Sequence, residues 1–275
     1  MTAPQLSEPA VGGTVEPSPR VRRWVIGGGL GLLAVSCAAA AWLIVLALPG
    51  HHDFTASRSM SAGGARLLRI NDDSGNVRLS PGTDGRIHAN VTGRYTSHQP
   101  VVSLTRDGDV STLTANCPRH DQLSCTVGVT VTVPADLELR VDAPDGEIAA
   151  ANLTGPLDLH GTNGPVTLTD PAGPLTVNST NGDIRIVGAR SQSLTVQTAN
   201  GNVQAYFTEP PKSAAVTSTN GGVIVAVPHG TGYAIDARSE NGAVRVSSAL
   251  QNGRSDRTIS VHTANGAISV RPATR

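Results

Sequence analysis

Acidic side chains are the residues of this 275-residue chain best suited to chemistry, because a polysaccharide lyase or hydrolase needs carboxylates and a base gathered on one face. Asp145 and Glu147 are two residues apart, whereas Asp158 and Asp170 fall further along the chain. The eight histidines are scattered. We therefore interpret these acids as ordinary turn and surface residues, and we predict no catalytic residues and no enzyme activity.

Motifs for metals, nucleotides and cofactors are equally weak. His51 and His52 are adjacent, but the sequence places no third metal ligand beside them, so a solvated segment is favoured. The calcium-binding repeat GGxGxD is absent, and only Asp183 directly follows an Asn-Gly pair. There is no phosphate-binding loop, nucleophile elbow or zinc spacing. We expect neither a cofactor nor a metal site.

Charge and composition restrict the partners and the shape of the core. The 21 basic and 21 acidic side chains balance, so no electrostatic signal predicts nucleic acid as a partner. Aromatic residues make up only 3% of the chain, although thick globular cores usually depend on them. We therefore expect a thin architecture filled by small aliphatic side chains.

The N-terminal part predicts a membrane anchor. Residues 1–23 contain four prolines among polar residues and read as a disordered cytoplasmic tail. Residues 24–48 form an uncharged run of 25, longer than the roughly 20 residues that a membrane-spanning helix needs, and too long for a cleaved signal peptide. Three arginines directly precede this run, whereas only Arg58 lies within ten residues after it. The positive-inside rule then places the N-terminus in the cytoplasm and the C-terminal part outside the membrane.

Cys117 and Cys125 fall in that extracytoplasmic part, where disulfides persist. We predict that they form a disulfide closing a short loop, which stabilises the fold by roughly 2 to 3 kcal/mol if it is unstrained.

Beyond a Gly-, Ser- and Ala-rich linker predicted at 49–66, residues 67–272 show strand patterns throughout. Alternation from Val127 to Val133 is typical of a half-buried strand. The stretch from Val101 to Leu113, with Asp107 and Gly108 in its middle, predicts a hairpin.

An internal repeat organises this region. From Asp145-Gly146 the corner dipeptide recurs after 18, 18, 19, 20, 21 and 24 residues, and positions −6, −4, +3 and +5 from each corner Asn are apolar. The repeat-turn residues are Asn163, Gly164, Asn181, Gly182, Asn200, Gly201, Asn220, Gly221, Asn241, Gly242, Asn265 and Gly266. A distant first copy surrounds Ser74-Gly75, and a further pair, Asn252-Gly253, lacks the flanking pattern and is interpreted as a loop insertion.

The repeat allows two folds. Asn-Gly between alternating strands is also typical of a two-residue hairpin, so an antiparallel β meander is the alternative. One repeat cannot bury its apolar face alone, whereas coils stacked about 4.8 Å apart close a narrow core. We therefore predict an all-β protein whose ectodomain is a right-handed single-stranded β-solenoid. One internal column should contain Ile184, Val203, Val223, Val244 and Ile268.

The repeat array resembles a known bacterial family. The stretch VTVTVPADLELRVDAPDGEIAAANLTGPLDLHGTNGPVTL, followed by LTVNSTNGDIRIVG and LTVQTANGNVQA, is similar to the bacterial putative-adhesin domain family, a domain of unknown function. The resemblance covers about residues 66–272. It implies a β-helical fold and frequent membrane anchoring, and it carries over no catalytic residues.

Two functions follow as hypotheses. The first is a non-catalytic, membrane-anchored extracytoplasmic repeat domain, an adhesin-like binding or envelope-sensing module with an unknown protein or envelope ligand. The alternative is a carbohydrate-active or carbohydrate-binding β-helix protein. The first is favoured because the predicted outward stripes contain no aromatic platform of the kind that sugar-binding faces use.

Overall fold

The computed structural model describes residues 50–118 and 125–273. The predicted tail 1–23 and the predicted transmembrane segment 24–48 lie outside the described residues. Within the described ranges, no helix is both long and apolar enough to span a bilayer. The chain from His51 onward is one compact unit made almost entirely of strands.

Twenty-one strands are found in the described part of the chain. The first nine are β1 (His52–Ser61), β2 (Leu67–Asp72), β3 (Val77–Gly82), β4 (Arg86–Tyr95), β5 (Val101–Asp107), β6 (Val110–Asn116), β7 (Cys125–Pro134), β8 (Glu138–Asp145) and β9 (Ile148–Ala151). The next six are β10 (Leu157–Asn163), β11 (Val166–Thr169), β12 (Leu175–Asn181), β13 (Ile184–Ala189), β14 (Ser193–Asn200) and β15 (Val203–Phe207). The last six are β16 (Ser213–Asn220), β17 (Val223–Val227), β18 (Ala234–Asn241), β19 (Val244–Val246), β20 (Thr258–Asn265) and β21 (Ile268–Pro272), with a 3-10 helix at Ser248–Leu250 before β20.

The strands form two sheets, and from β8 onward each coil gives one strand to each sheet. Sheet A has eleven strands in the order β1-β4-β7-β3-β9-β11-β13-β15-β17-β21-β19. Sheet B has ten in the order β18-β20-β16-β14-β12-β10-β8-β2-β6-β5. Neighbouring coils pair in parallel, as in Leu157 opposite Leu175. A meander would pair them antiparallel, so the all-β fold with solenoid stacking is confirmed and the meander is excluded.

The core lies between the two sheets and is filled by the apolar positions of the repeat. Val203 pairs with Ile184 on one side and with Val223 on the other. All three side chains are at most 1% exposed. Full burial of an aliphatic side chain of this size stabilises the fold by about 1.5 to 3 kcal/mol. Each coil added to the stack buries further side chains of this kind and so stabilises the fold.

The predicted sequence order of the column is wrong for the last two coils. Val223 is opposite Ile268, and Ile268 is in turn opposite Val244. The coil β20–β21 therefore lies between β16–β17 and the terminal coil β18–β19. Val244 consequently lies at the end of the stack and is 40% exposed.

A longer connection permits this insertion. The chain between β19 and β20 includes the Asn252-Gly253 pair that departs from the repeat pattern, which agrees with its interpretation as a loop. Leu250 in this connection is buried, and the neighbouring Gln251 bridges to the buried Tyr233. The loop between β19 and β20 is thus packed against the coil β18–β19. Its length lets the chain return so that β20–β21 lies between β16–β17 and β18–β19.

The N-terminal end is built differently, and the predicted linker 49–66 is wrong over its middle part. Strand β1 pairs antiparallel with β4 from His52 opposite Tyr95 to Ser61 opposite Arg86. Phe54 anchors this strand, because its side chain is only 6% exposed.

The expected hairpin from Val101 to Leu113 is confirmed as antiparallel β5 and β6. The distant first copy is confirmed as well, since β2 pairs with β8 and β3 pairs with β9.

Candidate functional site

The Asn-Gly corners stack into one column along the solenoid. Each corner asparagine donates its Nδ2 to the side-chain oxygen of the corner residue in the adjacent coil. The donor–acceptor pairs are Asn163 to Asp145 (2.9 Å), Asn181 to Asn163 (3.1 Å), Asn200 to Asn181 (2.9 Å), Asn220 to Asn200 (2.9 Å), Asn265 to Asn220 (2.8 Å) and Asn241 to Asn265 (3.0 Å). All donors point the same way, and the ladder ends on a carboxylate, which only accepts when ionised.

The corner glycines are required by close contact between coils. A Cβ on Gly182 would lie 2.0 Å from the carbonyl oxygen of Gly164, and one on Gly201 would lie 2.1 Å from that of Gly182. Both glycines have positive φ, at 154° and 147°. The repeat-turn residues predicted from the sequence therefore hold the coils together and leave little free chemistry for a ligand.

The acids singled out in the sequence do not converge. Asp145 accepts the corner ladder, and Glu147 lies 3.4 Å from Arg78. Asp158 lies in β10 of sheet B, whereas Asp170 follows β11 of sheet A. These four residues therefore do not form a catalytic site with two free carboxylates in one cleft.

The histidines at outward positions lie beside acids of their own face. His262 Nε2 lies 3.3 Å from Asp236 Oδ2. His160 Nε2 is 2.8 Å from Asp158 Oδ1, but the two groups are not aligned as a hydrogen bond. Among the described residues, no group of three or more His, Cys, Asp or Glu side chains is arranged to hold a metal ion.

The two cysteines join the end of β6 to the start of β7. Cys117 and Cys125 form a disulfide with a Cα–Cα distance of 6.0 Å. Ser74 Oγ donates to Cys117 Sγ at 3.2 Å, which ties this connection to the first corner of the array.

A buried acid, Asp72, lies just before that corner. Its Oδ1 accepts from the Ser74 amide at 3.5 Å, and its Oδ2 has no partner among the described residues. Burial raises the pKa of the Asp72 carboxyl to about 7, against the lowering effect of the Ser74 hydrogen bond. The sequence contained the signal, because alternation from Leu68 and Ile70 places Asp72 on the inward side.

A cleft of about 690 Å³ lies at the N-terminal end of the corner column. Its charged groups already have partners. Arg94 pairs with Asp53 at 3.3 Å, and Asp145 accepts from Asn163. The cleft therefore offers no unmatched charge to a ligand.

The outward side of sheet A carries an arrangement that the sequence interpretation missed. Tyr206 alternates with buried residues in β15, so its ring lies on the outward stripe. The Cζ atoms of Arg185 and Arg271 lie 5.6 Å and 5.9 Å from the centre of this ring, within the range of cation–π contacts. The expectation that the outward stripes lack an aromatic group is therefore wrong. The two arginines flank Tyr206 only because β13, β15 and β21 belong to one sheet.

A shallow trough lies on the same side of sheet A, nearer the N-terminal end. It has a volume of about 320 Å³, and its lining includes the small side chains of Ala149, Ala151, Thr167 and Thr169. Arg78 also lines it. The outward side of sheet A thus offers a trough at one end and the Tyr206 group at the other.

Comparison with known families gives one match. A family profile described as Toastrack DUF4097 matches residues 103–273, which is more than half of the chain. The matched range begins within β5 and includes every later strand. The family expected from the sequence resemblance is therefore supported. Among curated proteins, no relative matches the chain.

Three solved structures are similar to parts of this chain. An adhesin described as putative, from Bacteroides fragilis NCTC 9343, is 14% identical, covers 80% of this chain and 97% of its own, and has a TM-score of 0.51. A putative cell adhesion protein from Clostridium sporogenes ATCC 15579 is 14% identical, covers 81% and 100%, and has a TM-score of 0.36. A putative adhesin from Parabacteroides merdae ATCC 43184 is 10% identical, covers 80% and 96%, and has a TM-score of 0.41. At 14% identity, the likeness to the Bacteroides fragilis structure concerns the fold alone.

Proposed function

Because the chain belongs to the Toastrack DUF4097 family, we propose that it is a non-catalytic, adhesin-like binding module of the cell envelope. A transmembrane helix over residues 24–48 presents the module outside the membrane, with the N-terminus in the cytoplasm. The observation that carries the proposal is the stack of in-register coils, which repeats equivalent outward positions along two sheets.

The regular stacking suits an extended ligand. Outward side chains at equivalent positions of neighbouring coils are about 4.8 Å apart, so a linear envelope component can contact many coils at once. Because main-chain hydrogen bonds and the corner ladder join each coil to the next, these positions are preorganised. Binding then requires little ordering of the protein.

The acids favour binding over catalysis. Glu147 is engaged with Arg78, Asp158 with Arg140, and Asp145 with the corner ladder. General acid–base chemistry on a sugar needs two carboxyl groups on either side of one bond. Asp145 and Glu147 lie at one corner, where each already has a partner, and Asp158 lies apart from them in β10.

The anchor rests on the sequence of residues 24–48. A run of 25 uncharged residues with arginines on its N-terminal side is typical of a single-pass protein with a cytoplasmic N-terminus. We propose the cell membrane as the location, with the unit from His51 onward outside it.

Binding is tested by co-sedimentation of the full-length protein with isolated bacterial cell envelopes. We expect saturable binding that exceeds the binding of a control protein in which residues 1–50 of this chain are fused to an unrelated soluble domain, because that control shares the proposed anchor. Failure to co-sediment above that control overturns the binding role. Release of reducing ends from any member of a polysaccharide panel overturns the non-catalytic part and favours the carbohydrate-active alternative.

A further inference from the structure

The outward side of sheet A carries arginines without acidic partners. Within the part of the chain that the structure describes, Arg185, Arg245 and Arg271 make no ion pair. Arg185 instead donates from its Nη1 to Gln204 Oε1 at 2.6 Å. The nearby acid Asp183 is used elsewhere, because it accepts from the main-chain amide of the next coil. Three arginines of this side are therefore available to pair with an anionic ligand.

Two of these arginines are held in place around Tyr206. In register, Tyr206 is opposite Ala226, and Ala226 is opposite Arg271. Ala226 is fully buried although it lies on the outward side, and its small side chain lets Arg271 approach the ring across β17. Tyr206 Oη donates to Gln204 Oε1 at 3.3 Å, which links the ring to the Arg185 contact. The guanidinium groups are thus partly ordered before a ligand arrives.

Neutral hydrogen-bonding groups lie in the same line. Equivalent positions of successive strands in sheet A contain Thr167, Arg185, Gln204, Ile224, Ser269 and Arg245. The trough beside Thr167 has small side chains, so a flat ring can approach the sheet there. Two arginines and several amide and hydroxyl groups therefore follow one another along this row, and Tyr206 and Arg271 lie in a second row on the same side of the sheet.

Sheet B provides the contrast. Two of its outward arginines lie beside acids, since Arg238 lies 2.9 Å from Asp236 and Arg140 lies 3.3 Å from Asp158. Arg69, opposite Arg140, is exposed and makes no ion pair among the described residues. An anionic ligand would have to compete with these acids. Around Arg140 and Arg238, sheet B thus offers less unpaired positive charge than sheet A offers around Tyr206.

We propose that the outward side of sheet A binds an acidic polysaccharide, with Arg185 and Arg271 pairing with its carboxylates beside Tyr206. The guanidinium group matches the two oxygens of a carboxylate, and the threonine, serine and glutamine side chains match sugar hydroxyls. A polymer of phosphate alone would use the arginines and leave those neutral groups idle. The inference rests on the proposed binding function and specifies its ligand and its surface.

The test measures binding of the full-length protein to polygalacturonate and alginate, with neutral dextran and polyphosphate as comparison polymers. We expect binding to at least one of the two polyuronates that weakens with salt, and none to dextran. The double variant Arg185→Gln with Arg271→Gln should bind at least about tenfold more weakly, because two charge-assisted contacts are lost. Arg238→Gln on sheet B is the matched control and should bind within about twofold of the wild type.

Several results overturn the inference. Unchanged polyuronate binding by the double variant excludes this surface, provided that both variants unfold thermally like the wild type. Equal affinity for polyphosphate and polyuronate reduces the site to charge alone and excludes the polysaccharide. Failure to bind either polyuronate, while the wild type still co-sediments with envelopes, overturns this inference and leaves the proposed function standing. Loss of envelope binding as well overturns both.

Discussion

Glycine at the corners is needed for contact as well as for backbone angle. Each corner glycine lies against a carbonyl group of the coil beside it, so that any Cβ would overlap backbone atoms that cannot move aside. The asparagine before it supplies the hydrogen bond to the adjacent coil. The corner glycine is therefore required by stacking, and its recurrence from coil to coil indicates the stack.

Substitution of Gly201 by alanine should destabilise the protein by more than about 1 kcal/mol, because the new Cβ meets the Gly182 carbonyl at a positive φ. Gly253→Ala is the matched control, since no atom lies within 4 Å of its Cβ position. Its effect should stay within about 0.5 kcal/mol. Equal midpoints in urea denaturation for the two variants would contradict the role given to corner contacts.

Asp72 makes stability depend on pH. Its pKa is about 7 in the folded protein and 3.8 in the unfolded chain, so the folded state keeps a proton that the unfolded state releases. Below pH 3.8 both states are protonated. Between about pH 4 and 7 the free energy of unfolding therefore falls, and above 7 the loss is complete.

Asp72→Asn should remove this dependence. We expect the variant to gain stability over the wild type at pH 8, on the order of a few kcal/mol, and much less at pH 4. Asp136→Asn changes an exposed acid and serves as the control. Chemical denaturation at both pH values measures the difference, and an equal gain at pH 4 and pH 8 would show that ionisation of Asp72 is not the cause.

The disulfide between Cys117 and Cys125 lies near Asp72, since Ser74 contacts both Asp72 and Cys117. We expect Cys117 and Cys125 to resist alkylation unless a reductant is present, as mass spectrometry of the intact protein can show. Reduction should lower the free energy of unfolding by roughly 2 to 3 kcal/mol. Free alkylation of both residues without reductant would mean that the disulfide does not form in the purified protein.

Most coils of this protein stack in sequence order, but the last coil does not. From β8 to β17 each coil stacks on the one before it, as its inward pattern and its corner require. The last coil, β20–β21, departs from this order and enters between β16–β17 and β18–β19. Since every Asn-Gly corner presents the same amide donor and acceptor, the ladder is continuous in either order of the last two coils.

Engineered cysteines distinguish the two orders. Thr217 and Arg238 are each opposite His262 in the structure, so they lie two strands apart, about 10 Å. Thr217→Cys should cross-link with His262→Cys, whereas Thr217→Cys should not cross-link with Arg238→Cys, because disulfides need Cα atoms within about 7 Å. Peptide mapping after mild oxidation reads out the bond. The reverse result would restore stacking in sequence order.

The two ends of the whole stack are protected in different ways. At one end, β4 and β5 turn antiparallel and β1 lies outermost in sheet A. At the other end, the terminal coil places Asp236 and Arg238 on its edge strand. Strand edges recruit other strands unless they are charged or covered, so both devices favour a single solenoid over end-to-end aggregation.

The membrane orientation of the chain can be tested on intact cells. Protease added to intact cells should digest the unit that starts at His51 and leave the tail 1–23 protected, because the run 24–48 spans the membrane with its N-terminus inside. Immunodetection of tags at both termini follows the two parts. Survival of the C-terminal tag, while a known surface protein is digested, would contradict this orientation.

The sequence by itself determined the all-β fold, the inward residues and the solenoid repeat. Alternation in each strand decides which side chains face the core, and Asn-Gly decides where each coil turns, since both signals act within a few residues. The hairpin from Val101 to Leu113 and the distant copy at Ser74-Gly75 were predictable for the same reason. The pairing partners of β1 carried no such local signal.

Only the tertiary structure decided the order of the last two coils, the antiparallel end and the grouping of Arg185, Tyr206 and Arg271. These features depend on which strands become neighbours, and the residues of this group are far apart in sequence. Identical corners accept any order of coils, so the repeat alone does not distinguish them. The physical reason is that a parallel stack is selected by non-local pairing and by the length of its connections, whereas the pattern within one coil is selected locally.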